Sequence, residues 1–209
     1  MSIRRWFRRT PKEYPQQQAR EQLAEPPLFT VTETQNPSDS DIEHAIAVLC
    51  DTVDRTLPLN PAYVRPVLVE GERHLIRVWS HDQLVGAAVV VRDGSQENRM
   101  SHNRVSSHIV GYLGKRYRSL DLIAVDPNYR RQGVGELLLR SAEVVAHRQG
   151  ARFLTLIVKH DSEAVAFFQE AGYDVLELGV PLVVQSSSGA PVGMPLEPPH
   201  CWGVKQLIG

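Results

Sequence analysis

The sequence predicts a mixed α/β domain of roughly seven strands and three or four helices. Three observations carry that expectation. Residues 120–125 form a short apolar run closed by Asp126-Pro127-Asn128, and a glycine-bearing loop leads straight into residues 136–149. That last stretch lacks Pro and Gly and is rich in Leu, Ala, Val and Glu. His147 and Arg148 stand in its final turn and Gly150 follows, so it reads as a helix with a stop. The second observation is a hairpin, residues 74–79 and 84–92 around Ser80-His81-Asp82-Gln83. The third is another strand, residues 152–159, followed by a short helix over 161–173 with Asp161 or Ser162 as N-cap and Gly172 as stop.

The remaining elements fall around these. With 209 residues and 42% hydrophobic content the chain buries one core, which predicts a single domain over residues 28–209. Residues 1–27 read as a flexible tail, basic and aromatic at Arg4-Arg5-Trp6-Phe7-Arg8-Arg9 and then rich in Pro and Gln. Residues 28–34 are β-branched and form a first strand. Residues 38–55 place Ile42, Ala45, Ile46, Leu49 and Val53 on one helical face, with cap candidates at 38–41. Prolines at 58 and 61 end that helix, and 62–69 stays open between helix and loop. Residues 93–106 read as a long polar loop and 107–113 as a further strand segment. Residues 173–184 are strand-like but broken by Gly179 and Pro181, 185–199 form a loop, and 201–208 make a closing strand.

The chemistry concentrates at Arg130-Arg131-Gln132-Gly133-Val134-Gly135. A strand, a glycine loop and a helix in that order aim backbone N–H groups and the positive end of a helix dipole at one point. Gly133 and Gly135 let an anion approach the main chain, and the two arginines add charge. The pattern points to a phosphate or pyrophosphate site; standing alone, it also fits an ordinary exposed turn. A net charge of −1 argues against a nucleic-acid binder driven by bulk charge. Cys50 and Cys201 show neither metal spacing nor a disulfide framework, so no metal is expected and Cys50 reads as a small core residue. With no signal peptide and no apolar run near the ~18 residues of a membrane span, a cytoplasmic location is expected.

Arg130-x-x-Gly133-x-Gly135 resembles the acyl-CoA pyrophosphate loop of the GNAT superfamily of N-acetyltransferases, (Arg/Gln)-x-x-Gly-x-(Gly/Ala). About thirty residues on, Asp161-x-x-Ala164-x-x-x-Phe168-x-x-x-Gly172-Tyr173 is similar to the family's second motif, Asn-x-x-Ala-x-x-x-Tyr-x-x-x-Gly-(Phe/Tyr). The resemblance implies the GNAT fold: a twisted, mostly antiparallel sheet of about seven strands with flanking helices. Two parallel strands would splay in its middle, here residues 120–125 and 153–158. It also implies acetyl-CoA as acyl donor and an amine-bearing small molecule or protein as acceptor, and it leaves a homodimer open. Carried over residue by residue, main-chain groups of Arg131, Gln132, Gly133, Val134, Gly135 and Glu136 would hold the pyrophosphate, with Arg130 beside them. The main chain of Ile123, Ala124 and Val125 would hold the pantetheine arm and polarise the acetyl carbonyl. Asp161, Ala164 and Phe168 would complete the cofactor side.

Two departures follow. Asp161 stands where relatives carry Asn; it accepts a hydrogen bond but has lost the amide donor. Phe168 stands where most relatives carry Tyr, and a phenyl ring cannot donate a proton to the leaving thiolate. Asp121 alternates with Ile123 and Val125 and is the candidate general base, with a solvated strand acid as the alternative; His160 is a second candidate. Six basic residues between 92 and 118 (Arg92, Arg99, Arg104, Lys115, Arg116, Arg118) against Asp93 and Glu97 read as a basic edge. Three functions stay open: an acetyl-CoA-dependent N-acetyltransferase acting on a primary amine, a catalytically weak acyl-CoA-binding or sensing module, and a dinucleotide-binding domain. The last wants a third glycine where Leu138 stands.

Overall fold

The computed structural model describes residues 29–50, 73–92, 106–184 and 191–208. Expectations for the tail at 1–27, the proline break and the segment up to 69, the loop at 93–105 and the loop at 185–190 lie outside the described residues. So does the side chain of Cys50.

Within that frame the chain runs β1 (Phe29–Gln35), α1 (Asp39–Cys50), β2 (Arg73–Ser80), β3 (Gln83–Val91), α2 (Ser107–Arg116), β4 (Tyr117–Val125), α3 (Val134–Arg148), β5 (Phe153–Lys159) and α4 (Ala164–Glu170). It ends with β6 (Asp174–Val175), β7 (Leu182–Val184), β8 (Val192–Met194) and β9 (His200–Gln206). Seven strands form one sheet in the order β1-β2-β3-β4-β5-β9-β6, and β7 pairs with β8 in a separate ribbon. Every pairing is antiparallel except β4 with β5. The expected fold, a mostly antiparallel sheet of about seven strands with one parallel pair at its centre, is the one found.

Local chemistry explains the element ends. Ser38 and Asp41 form a reciprocal capping box: the Ser38 hydroxyl accepts from the Asp41 N–H at 3.1 Å, and the Asp41 carboxylate accepts from the Ser38 N–H at 3.0 Å. Hydrogen bonds from the Ser38 hydroxyl and N–H hold the Asp41 carboxyl below its ordinary range. Gly150 and Gly172 take left-handed φ values of 80° and 85° and close α3 and α4. At each end two crossed bonds cap the last carbonyls, Ala151 N–H to Ala146 O at 3.1 Å and Tyr173 N–H to Phe168 O at 3.0 Å being the longer-range member.

Three expectations are corrected. Residues 107–113 belong to a helix, α2, because Val110 and Leu113 share a face and bury against Leu182, Val184, Met194 and Trp202. Their β-branched character suggested strand, and the helical spacing prevailed through that packing. Neither Asp161 nor Ser162 caps α4: Glu163 is at the N-cap without a side-chain bond. The Ser162 hydroxyl instead donates to the Lys159 carbonyl at 2.7 Å. Arg118 leaves the proposed basic edge altogether. It is buried and donates to the carbonyls of Gly114 and Tyr117 at 2.9 and 2.8 Å and to Gln149 Oε1 at 2.5 Å, joining the ends of α2 and α3 to the start of β4.

The core has two sides. On one face α3 buries Val134, Leu138, Leu139, Ala142, Val145 and Ala146 over β2, β3 and β4. On the other, α1 packs Ile42 and Ala45 on Leu75, Leu84, Ala87, Val89 and Val91. Gly86 lets α3 approach: a Cβ there would stand 2.8 Å from Val134 Cγ1 and 3.0 Å from Leu138 Cδ1.

Tyr117, at the start of β4, stacks on Phe153 with ring centroids 4.8 Å apart. Burial, with the Tyr112 hydroxyl as a lesser cause, pushes its pKa up to about 12. The unfolded chain then loses this proton before the folded one, so Tyr117 favours folding below pH ~10 and that contribution is lost towards the folded-state value of about 12. Tyr117→Phe keeps the stacked ring and is expected to flatten part of the stability loss in that window, read by urea unfolding at stepped pH. An unaltered pH slope would show that the hydroxyl titrates as it does in water.

Candidate active site

The site starts where β4 and β5 part. Their parallel register runs from Tyr117 opposite Phe153 to Leu120 opposite Leu156 and stops there. Both strands continue: β4 stays paired with β3 as far as Val125 opposite Gly86, and β5 with β9 as far as Lys159 opposite His200. Each is held on its outer side while the inner edges open. Leu120 faces Val90 and Leu122 faces Val89, so Asp121 and Leu122 stand where β3 supplies one residue. This bulge bends β4 at the first position beyond the last β4–β5 pair. Asp121 is exposed there, and Ile123, Ala124 and Val125 are half-buried along the opened edge.

At the end of β4 the chain turns on Asp126. Its N–H donates to Val85 O at 2.9 Å, its Oδ1 accepts from the Asn128 N–H at 2.8 Å, and its carbonyl accepts from the Tyr129 N–H at 2.9 Å. A 3-10 turn, Pro127–Tyr129, follows. Gln132 Nε2 donates to Asn128 O at 2.9 Å, and Arg130 Nε lies 3.4 Å from Val125 O. Arg131 and Gly133 take φ values of 60° and 85°, and α3 begins at Val134 with Gly133 as N-cap and no side-chain cap. The first intrahelical bond is Leu137 N–H to Gly133 O at 2.9 Å. The N–H groups of Gly133, Val134, Gly135 and Glu136 are therefore the free donors of the helix start.

The two glycines differ in their reasons. Gly133 has open space around its would-be Cβ and is needed for its left-handed backbone. Gly135 has an ordinary backbone, but a Cβ would meet Phe167 Cζ at 3.1 Å and Val125 Cγ2 at 3.8 Å. The end of β4, the start of α3 and the middle of α4 thus converge on Gly135. Phe167, which the sequence reading passed over, is the α4 residue at this junction. Phe168 lies in the core, 5% exposed, its ring 5.3 Å from Phe167 and 5.7 Å from Tyr173. The Tyr173 hydroxyl is buried, and burial, followed by the nearby Glu143 carboxylate, raises its pKa so that it keeps its proton. Glu143 is itself paired with Lys205 at 2.8 Å.

The other expected residues lie further out. His160 Nδ1 and Asp161 Oδ1 are 2.9 Å apart in the exposed loop after β5, and Ala164 packs half-buried against the α3-side core. Arg130 and Arg131 are exposed. Glu136 is paired with Arg140 at 2.5 Å on the surface of α3.

A sequence model of the acetyltransferase (GNAT) domain matches residues 58–183, more than half of the chain. The chain belongs to the GNAT acetyltransferase family. It is 24% identical over 169 residues to tRNA(Met) cytidine acetyltransferase TmcA of Pectobacterium atrosepticum, which covers 73% of this chain and 24% of that protein. The chain thus spans about a quarter of the length of the curated relatives it matches. Among solved structures, Ard1 from Thermoplasma volcanium aligns with a TM-score of 0.55 at 17% identity, over 87% of this chain and 99% of that one. A GNAT family acetyltransferase from Elizabethkingia anophelis with acetyl-CoA bound aligns with a TM-score of 0.51 at 13% identity, over 86% and 98%. At these identities the likeness speaks for the GNAT fold. Among the described residues no helix is long and apolar enough to cross a membrane.

In this GNAT chain the two loop glycines are expected to fail differently. Gly133→Ala should cost about 1–2 kcal/mol from the left-handed backbone alone. Gly135→Ala should strain the contact with Phe167, and Phe167→Leu should restore part of the loss. Denaturant unfolding of the singles and the double checks this; equal losses with no rescue would disprove the separate roles.

Proposed function

We propose that this chain is an acetyl-CoA-dependent N-acetyltransferase that moves an acetyl group to a primary amine by direct attack within a ternary complex. The observation that carries the reading is one juxtaposition: the opened inner edge of β4 runs directly into the loop and free N–H groups at the start of α3. A pyrophosphate suits those N–H groups, from Arg131 to Glu136, with Arg130 and Arg131 adding charge. An amide-bearing arm suits the opened edge at Ile123, Ala124 and Val125, where main-chain groups need partners. One N–H of that edge would also polarise the thioester carbonyl, an interaction of a kind whose loss typically costs ~3–4 kcal/mol in the transition state. Asp161 would accept from an amide of the arm, with Ala164 and Phe168 behind it. The acyltransferase unit would comprise residues 28–209.

Asp121, exposed at the bulge beside this edge, is the group we assign to take the amine's proton, directly or through a water. The amine nitrogen bonds to the carbonyl carbon, the carbon–sulfur bond breaks, and the thiolate takes its proton from solvent. A thiol of pKa ~8.5 is a competent leaving group without a tyrosine beside it. His160, paired with Asp161, is the second candidate base.

The catalytically weak acyl-CoA-binding module is favoured by a specific observation, the buried phenyl ring of Phe168 at the position where most relatives carry Tyr. For the acceptor, a nucleobase amine in RNA joins small amines and peptides, supported by the similarity to tRNA(Met) cytidine acetyltransferases.

Calorimetric titration with acetyl-CoA, followed by thiol release over amines, peptides and tRNA, tests the reading. Binding with acceptor-dependent release is expected, and no binding overturns it. Binding without release on any acceptor favours the weak module, and recovery of turnover by Phe168→Tyr would place the defect at that ring. Asp121→Asn is expected to slow turnover at neutral pH with acetyl-CoA affinity kept; an unchanged pH–rate profile removes Asp121 as base.

A further inference from the structure

Asp126 is a buried carboxylate, 5% exposed, at the mouth of a loop expected to receive an anion. By charge alone it is misplaced: a carboxylate near a pyrophosphate repels it, and burying an uncompensated charge is costly. Among the described residues no cation stands within ion-pair distance of it. Its bonds are to the main chain. The N–H holds Val85 O at 2.9 Å, and the side chain and carbonyl take the N–H groups of Asn128 and Tyr129 at 2.8 and 2.9 Å. Val85 is itself the extra residue of a bulge in β3, since Val78 faces Gly86 while Trp79 faces Leu84.

The loop hangs from this residue. The turn that Asp126 fixes presents Asn128 O to Gln132 Nε2 at 2.9 Å and sets Tyr129, whose hydroxyl lies 3.2 Å from Gln83 Oε1 and whose ring meets Phe29 edge-on. Downstream, α3 is pressed on Gly86 and Gly135 is pressed on Phe167, so its position has little slack. The turn at 126–129 and the helix start are therefore two fixed ends, and residues 130–133 bridge them.

We propose that Asp126 is a positioning residue for the anion loop, holding the N–H groups of residues 131–136 in register for a pyrophosphate through its side-chain-to-backbone turn, and that its charge contributes nothing to that hold. This rests on the acyl-CoA reading above. An Asx turn needs only an oxygen at Oδ1, which Asn supplies as well as Asp, Ser supplies less well and Ala lacks. The order of the variants therefore separates geometry from charge.

The test is calorimetric titration of the full chain and its variants with CoA and with pantetheine, which lacks the pyrophosphate. The wild type should prefer CoA. Asp126→Ala is expected to weaken CoA roughly tenfold, the scale of a lost cap, with pantetheine affinity unchanged. Asp126→Ser should fall between, and Asp126→Asn should match or exceed the wild type, because the turn survives and a like charge is gone. A uniform stability defect would weaken both ligands together or neither. The proposal is overturned if Asp126→Asn loses as much CoA affinity as Asp126→Ala, or if the CoA-to-pantetheine ratio is the same in all variants. Should Asp126→Ala show no cooperative unfolding transition, the Asn and Ser variants decide by the same ratio. A wild type that prefers pantetheine, or binds neither, overturns the acyl-CoA reading and this inference with it; a wild type that prefers CoA while the variants do not change the ratio overturns only this inference.

Discussion

The structure depends on one interruption: β4 and β5 stop pairing after Leu120 and Leu156 although neither strand ends there. Backbone N–H and C=O groups left without partners away from water cost roughly 1–3 kcal/mol each, so a sheet opens only where its outer pairings hold it. Here β3 and β9 do that, carrying β4 to Val125 and β5 to Lys159. The bulge at Asp121 turns β4 aside at the same level, and α3 covers β2, β3 and β4 on one face. The glycines then follow from packing. Gly86 admits the first turns of α3, Gly203 admits Leu156, whose Cδ1 would lie 2.7 Å from a Cβ, and Gly135 admits Phe167.

Two kinds of positive charge meet at the mouth of this opening, and their weights differ. The side chains of Arg130 and Arg131 are exposed, and an exposed ion pair is typically worth under about 1 kcal/mol. The N–H groups at the start of α3 are fixed by the helix, lose no side-chain entropy on binding and sit on the positive end of the dipole. Glu136, which would oppose an anion there, is engaged by Arg140 one turn on. In the proposed binding, the main chain, placed by glycine geometry and the Asp126 turn, would outweigh the arginines. Composition bears on such a site very little, since most of its donors belong to no side chain.

Much of this was legible in the sequence, and the rest was hidden for identifiable reasons. The hairpin, α3 and the stops at Gly150 and Gly172 came through because periodicity and left-handed glycines are local signals. The region 107–113 was misread because Ile109, Val110 and Tyr112 favour strands in isolation, while their true environment is set by Trp202 and Met194 far along the chain. Arg118 passed for part of a basic edge because a charge count knows nothing of the carbonyls of Gly114 and Tyr117 that receive it. At the candidate site, the succession of strand, glycine loop and helix was visible as a motif. Phe167 was not, because its importance lies in a contact with Gly135 that no spacing rule announces. The bulge at Asp121 was equally hidden: it exists in the register between two strands, and neither strand's own residues encode it.

In the proposed transfer, Phe168 would bear on mechanism less than its position suggests. For a thiol of pKa ~8.5, the driving force for reprotonation at pH 7 is about 2 kcal/mol, a modest part of the 8 kcal/mol or more by which enzymes usually lower a barrier. Freeing an alkyl amine of pKa ~10.4 at the same pH costs about 5 kcal/mol. On the proposed transferase reading the proton on the acceptor is thus the larger obstacle, and the exposed acid at the β4 bulge, not the ring on α4, is where the chain would contribute most. An amine on an aromatic base, as in cytosine, is a neutral hydrogen-bond donor and presents no such cost before attack; what it needs is removal of a proton as the new bond forms. With Asp121 as the proposed base, the dependence of turnover on its carboxylate would therefore carry information about the acceptor as well as the base. A steep rise with pH through the acceptor's own ionisation belongs to alkyl amines, and a flat profile above the carboxylate range belongs to a nucleobase.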